Sequence, residues 1–225
     1  LTSDLQDDVE DWLDAPMGEV IGNMKITDPM PARLHGHPYL SFINQVQMAA
    51  THTDLSATSL FNDEVLGYDP TVTMRNIVNS YVYPNTLVVL KITGTDLKRA
   101  LERCASFFMV DSKGQVAVSA KFREPKLQLY NYDIYSGINY AFDLNKPEKQ
   151  RVIALSYHGK PVHDDQKLEV TLNQYRGIGG GDYQMFAASK IVREVQIDMT
   201  ELISDYFAKH PVVQAIHEEN IRIKK

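Results

Sequence analysis

The segment Arg176-Gly177-Ile178-Gly179-Gly180-Gly181-Asp182 is a local candidate for ligand contact, because glycines let backbone N–H groups approach a bound group closely. It fits neither standard nucleotide fingerprint. A dinucleotide-binding Gly-x-Gly-x-x-Gly needs glycine where Asp182 stands, and a phosphate-binding loop needs a Lys followed by Ser or Thr. A flexible hairpin turn is the plain alternative. His35-Gly36-His37 invites a metal reading, yet no third ligand or carboxylate set accompanies it, and a surface loop is simpler. The other histidines, His52, His158, His163, His210 and His217, are scattered along the chain. There is no Gly-x-Ser-x-Gly elbow and no His-Glu-x-x-His, so neither a catalytic nor a metal-binding residue is assigned. Tyrosine is more informative: Tyr81, Tyr83, Tyr130, Tyr132, Tyr135, Tyr140, Tyr175 and Tyr183 flank Pro, Asn and Gly where loops are expected. A loop tyrosine offers a π-face to a ligand, or else packs its ring inward with the hydroxyl satisfied at the edge. The loops carrying Tyr83 and Tyr175 are where a ligand would be reached.

The elements that must position these residues are read from periodicity. Residues 1–15 alternate acids with Val9, Trp12 and Leu13 at helical spacing and stop at Pro16 and Gly18, which predicts a short amphipathic connecting helix. Residues 20–26 read as a strand, Asp28-Pro29-Met30-Pro31 as a turn-rich join, and 39–50 as a helix started by Pro38. Residues 52–70 read as irregular. A short helical segment over 74–78 precedes Tyr81-Val82-Tyr83-Pro84-Asn85 and a β-branched strand over 86–93. After Gly94, Thr95 or Asp96 can cap a helix whose apolar face is Leu97, Ala100, Leu101, Cys104, Ala105 and Phe108. Cys104 is thus a buried helix residue rather than a nucleophile. Strand material follows over 127–144, broken at Ser136-Gly137, then over 152–157 and 168–172, with a strand and a helix over 194–207.

Composition bounds the rest. With 225 residues, 44% hydrophobic and 23% charged, the chain can bury a core and is neither disordered nor fibrous. One cysteine excludes a disulfide framework and a cysteine-built zinc site. A net charge of −6 argues against gripping a nucleic-acid polymer but leaves a mononucleotide open. The aliphatic run Leu87-Val88-Val89-Leu90 is far short of the roughly 20 residues that cross a bilayer, so no membrane insertion of this segment is expected. The chain opens on Leu1 without a signal segment, and is read as a piece or processed product of a longer protein.

The stretch Met74-Arg75-Asn76-Ile77-Val78-Asn79-Ser80-Tyr81-Val82-Tyr83-Pro84-Asn85-Thr86-Leu87-Val88-Val89 resembles the C-terminal domain of the 5'-nucleotidase family. The branch it is most like is the bacterial bifunctional 2',3'-cyclic-nucleotide 2'-phosphodiesterase/3'-nucleotidase. The likeness continues through Gly94-Thr95-Asp96-Leu97-Lys98, Tyr130-Asn131-Tyr132-Asp133, Ser136-Gly137-Ile138-Asn139-Tyr140 and Asn173-Gln174-Tyr175-Arg176 with the glycine loop. It implies an α+β fold, a layered mixed sheet with packed helices, in which residues 1–18 form an interdomain linker helix and 19–225 the substrate-binding domain. Tyr83 and Tyr175 match the aromatic positions that sandwich the nucleobase, Asn85 a polar contact to the base, and Gly137 a position whose backbone lines the pocket. Gly179, Gly180 and Gly181 would complete the substrate contacts. Arg75 is either structural or part of the site, and Arg33 does not match an arginine that contacts phosphate or ribose. Asp182 stands where relatives more often have glycine.

The resemblance also implies what should lie outside this chain. Two divalent metal ions are expected in an N-terminal metallophosphatase domain, whose Asp-x-His, Asn-His-Glu and Gly-His-x-His motifs are absent here. That domain and a mononucleotide or nucleoside are the expected partners. The parent would be an exported hydrolase, extracellular, cell-wall-bound or periplasmic, and this segment alone would be inactive. A 5'-nucleotidase or UDP-sugar hydrolase type of domain and a free-standing nucleoside-binding module are the alternatives, with a small hydrolase acting through His35 and His37 as a third.

Overall fold

An uninterrupted aliphatic strand is stable only where both its faces are covered. Leu87, Val88, Val89 and Leu90 are all buried, within a strand Leu87–Thr93 that runs through a five-stranded sheet. In the computed structural model, which describes the backbone of residues 2–225 and the side-chain surroundings of 6–225, the sheet order is Lys190–Val195, Leu87–Thr93, Lys167–Asn173, Ser56–Ser59 and Asp133–Ser136. Lys167–Asn173 and Ser56–Ser59 are parallel, and the other junctions are antiparallel. The register sets Asn173 opposite Leu87 and Ser59 opposite Asp133. Two strand ends and two strand starts therefore share one edge of the sheet, and the segments leaving them converge there.

Around this sheet lie a four-stranded sheet of Lys160–Pro161, Val152–Tyr157, Ile138–Asp143 and Ile221–Lys224, and a three-stranded one of Val212–Gln214, Pro16–Ile21 and Thr71–Thr73. Helix Pro38–Thr51 buries Leu40, Ile43 and Val46, and sets Phe42 against Phe207 of helix Met199–Lys209 with ring centroids 5.2 Å apart. The fold is the expected mixture of helices and mixed sheets joined by one continuous core. Helix Gly94–Ala105 buries Leu97, Ala100, Leu101, Cys104 and Ala105, whereas Phe108 already begins the strand Phe108–Val110.

The structure corrects several local expectations. Neither Thr95 nor Asp96 is the N-cap. Thr93 is, and Asp96 closes a capping box by accepting from the Thr93 amide at 3.0 Å, so the helix starts directly from the strand. Asp28-Pro29-Met30-Pro31 is a helix start rather than a join: Asp28 accepts from the Met30 amide and Pro29 opens helix Pro29–His35. Residues 20–26 are two strands, Pro16–Ile21 and Met24–Lys25, separated at Gly22 with φ of +100°. The supposedly irregular 52–70 contains the buried strand Ser56–Ser59. Its Ser-Ala-Thr-Ser sequence shows no hydrophobic signal because its hydroxyls are satisfied internally, Ser56 by Gln47 at 2.7 Å and Ser59 by Asp133 at 2.6 Å.

Candidate functional site

At the shared sheet edge, each strand terminus delivers a site segment. Past Ser59 comes Phe61; before Leu87 come Tyr83, Pro84 and Asn85; past Asn173 come Tyr175 and Arg176; before Asp133 come Lys126 and Tyr130. Together these eight residues and Asn173 itself line a cavity of about 390 Å³: Phe61, Tyr83, Pro84, Asn85, Lys126, Tyr130, Asn173, Tyr175 and Arg176. The Gln174 amide donates to the Thr86 carbonyl at 2.9 Å and the Thr86 hydroxyl to Gln174 Oε1 at 3.0 Å, which ties the two tyrosine-bearing segments together.

Tyr83 sits where Pro84 bends the chain, with the Asn85 amide donating back to the Tyr83 carbonyl at 2.8 Å. Its ring meets Phe61 edge-on at 5.0 Å and Tyr130 at 6.1 Å. On the other side, Asn173 caps the one-turn helix Gln174–Gly177 by accepting from the Arg176 amide at 2.8 Å. That turn sends Tyr175 outward and Arg176 inward. Tyr83 and Tyr175 are 41% and 44% exposed, whereas Tyr81, Tyr132, Tyr135, Tyr140 and Tyr183 are buried core residues. Exposure thus separates the two expected stacking residues from tyrosines that pack the interior.

Arg176 is 1% exposed, and its guanidinium donates to Asp133 through Nε at 2.7 Å and Nη2 at 3.1 Å, to the Tyr130 carbonyl at 2.9 Å and to the Gly180 carbonyl. It also lies 4.0 Å from the Tyr183 ring centroid. Burial opposes its charge, but Asp133 more than offsets this, so its pKa is raised. The pair holds together the turn bearing Tyr175, the segment bearing Tyr130 and the glycine loop.

The glycines expected to contact substrate are not among the cavity-lining residues. A Cβ on Gly180 would lie 2.6 Å from the Tyr175 ring, and one on Gly181 would lie 2.2 Å from Asn131 Oδ1 and 2.3 Å from Arg176 Nη1. Gly179, with φ of +93°, faces Ala187. Asp182 keeps a left-handed φ of 66°, a conformation that favours glycine, and pairs with Arg103 at 3.2 Å. Gly137 is likewise placed apart from the tyrosines. It lines a shallow groove with Gln45, Asp54 and Glu218, its amide donates to Glu218 at 3.0 Å, and its φ of +92° with the Asp54 carbonyl 1.8 Å from any Cβ makes glycine obligatory.

The other candidates resolve without chemistry. Arg75 pairs with Glu10 and, at 2.6 Å, with Asp14 of helix Thr2–Asp14, while Arg33 is buried and pairs with Asp63 at 2.6 Å. His35 closes one helix and His37 caps the next, its Nδ1 accepting from the Tyr39 amide at 3.1 Å. Among the described residues no group of three or more His, Cys, Asp or Glu is arranged to hold a metal ion. Burial pushes the Cys104 thiol up to about 12, and its Sγ lies 3.2 Å from the Tyr183 hydroxyl. A larger groove of about 830 Å³ beside helix Gly94–Ala105 is lined by opposing charges, with Lys121 and Glu148 paired at 2.7 Å, and presents no aromatic face. Phe61 and Lys126 escaped sequence reasoning because neither belongs to a motif; Asn173 was recognisable from its capping position before a short turn.

The model of the family described as 5'-nucleotidase, C-terminal domain, matches residues 20–188. The chain is 31% identical over 163 residues to the trifunctional nucleotide phosphoesterase protein of Bacillus subtilis, covering 65% of this chain and 11% of that one. It is 29% identical over 233 residues to the 2',3'-cyclic-nucleotide 2'-phosphodiesterase/3'-nucleotidase of Haemophilus influenzae, covering 86% of this chain and 35% of the relative. A crystal structure of a Staphylococcus aureus protein assigned as a 5'-nucleotidase, in complex with alpha-ketoglutarate, superposes with a TM-score of 0.92 at 34% identity, over 99% of this chain and 43% of that one. This chain therefore spans less than half the length of each of these proteins. A continuous match from the first sheet strand past the glycine loop, on the same architecture, establishes that the chain belongs to the 5'-nucleotidase family as its C-terminal domain.

Proposed function

We propose that this domain holds the base and ribose of a 2',3'-cyclic or 3'-nucleotide between Tyr83 and Tyr175, for hydrolysis by a metallophosphatase domain of a longer, exported parent protein. The observation that carries the reading is the pair of half-exposed tyrosines, from adjacent strands, at one cavity. The names of the curated relatives support the substrate class. Stacking suits a broad base range because every base has a π-face, and two stacks contribute at most roughly 2–6 kcal/mol. Binding by the domain alone is accordingly weak, of millimolar order or little better. Asn85 Nδ2 lies 3.5 Å from the Tyr81 hydroxyl, which leaves its carbonyl oxygen to accept from a base edge. The divalent ions belong, in this reading, to the other domain, and the segment by itself hydrolyses nothing. Residues 1–15 form the connection to that domain.

Titration calorimetry with adenosine and 3'-AMP tests the cavity. The wild-type chain should bind both, and Tyr83→Ala/Tyr175→Ala should lose at least about tenfold, the value of a single modest stack. Equal binding by the double variant sinks the sandwich. A 5'-nucleotidase type of domain is the second reading, favoured by the name of the Staphylococcus aureus structure. Selectivity for 5'-AMP over 3'-AMP in the intact parent enzyme would support that one instead.

A further inference from the structure

No Asp or Glu lines the tyrosine cavity, and the cations that line it are Arg176 and Lys126. Arg176 is committed: its guanidinium is buried against Asp133 and against two backbone carbonyls. Lys126 is exposed and enters no ion pair among the described residues, unlike Lys121 nearby in sequence, which is held by Glu148 at 2.7 Å. The chain segment that carries Lys126 is nonetheless held in place. The Gln128 amide donates to the Phe122 carbonyl at 2.8 Å, and the Tyr130 carbonyl accepts from Arg176 at 2.9 Å. The cavity thus combines aromatic faces and amides with one uncompensated positive charge on a flexible stem, a set that matches a ligand with a π-face and a negative group.

From this we infer that Lys126 is the specificity-determining residue by which the cavity distinguishes a nucleotide from a nucleoside, its ammonium pairing with the ligand's phosphate. The inference rests on the reading of Tyr83 and Tyr175 as the base site. Lys126 is a point charge with three rotatable donors, so it can follow a phosphate on the 2', the 3' or both positions without fixed geometry. The contact is exposed, which makes it modest and salt-dependent.

Titration of the full chain with adenosine, 3'-AMP and inorganic phosphate, at roughly 0.02 M and 0.5 M salt, tests it. In the wild type at low salt, 3'-AMP should bind about fivefold more tightly than adenosine, with the advantage mostly gone at high salt. Lys126→Gln should leave adenosine binding unchanged and bring 3'-AMP down to the adenosine level, while Lys126→Arg should keep the advantage. Inorganic phosphate alone should compete only weakly. The inference is overturned if Lys126→Gln retains the preference, if the wild type shows none, or if the substitution weakens adenosine equally. Should the wild type bind neither adenosine nor 3'-AMP, the base-site reading falls and this inference falls with it.

Discussion

Tyr175 and Arg176 are consecutive residues with opposite fates, one half-exposed at a cavity and the other nearly sealed inside. The division follows from Asn173, whose side chain caps the intervening turn and fixes which residue points which way. Arg176→Met should be strongly destabilising, about 3–5 kcal/mol in urea unfolding, because it strands the Asp133 carboxylate, itself 2% exposed, without its partner. Arg176→Met/Asp133→Leu should recover a large part of that loss, and failure to recover it would mean that the arginine acts mainly through the Tyr130 and Gly180 carbonyls. Sequence reading singled out Tyr83, Tyr175 and Asn85 from a recognisable motif, and the structure brings all three to one cavity. It expected substrate contacts from Gly137 and the three loop glycines as well, and a glycine signals close approach without saying to what. Here the close approach is to Asp54, to the Tyr175 ring and to Arg176.

Helix starts were the least legible elements, because short polar residues signal a cap, a turn or a loop alike. Asp28 and Thr93 both cap helices where a turn or a later start was expected. His37 is a third case, and a titratable one. Burial, with His217 nearby, holds its pKa below the usual 6.5. The unfolded chain therefore takes up a proton before the folded one does, so the stabilisation from neutral His37 is present above about pH 6.5 and is lost as pH falls below it. Between pH 7 and pH 5 the thermal midpoint of the wild type should drop more than that of His37→Asn, which keeps an acceptor for the Tyr39 amide but does not titrate. His37→Ala should cost about 1 kcal/mol at pH 7, the usual value of a lost cap. Parallel pH curves for wild type and His37→Asn would remove the histidine from the account. Long elements were legible for the converse reason: Leu87–Thr93 and Gly94–Ala105 carry unambiguous periodicity over several residues.

At the scale of the molecule, the first helix is attached to the rest through Arg75, which grips Glu10 and Asp14, while Val9 and Trp12 remain exposed. Surface pairs of this kind hold position more than they stabilise. Arg75→Ala should speed amide exchange across Thr2–Asp14 with little change in the melting temperature of the domain; unchanged exchange would show that other contacts hold the helix. The strand order, by contrast, was not legible from sequence, since Ser56–Ser59 has no hydrophobic pattern and its neighbours are distant in the chain. Without that strand the convergence of site segments on one edge cannot be anticipated. The two walls of the resulting cavity are also built unequally. Phe61 and Tyr130 brace Tyr83 from two directions, whereas Tyr175 rests on a one-turn helix and a glycine loop. Tyr83 is thus fixed by its aromatic neighbours, and Tyr175 by the turn beneath it and the close approach of Gly180. In the proposed base site, a side chain at position 180 would therefore press on the Tyr175 wall and leave the Tyr83 wall in place.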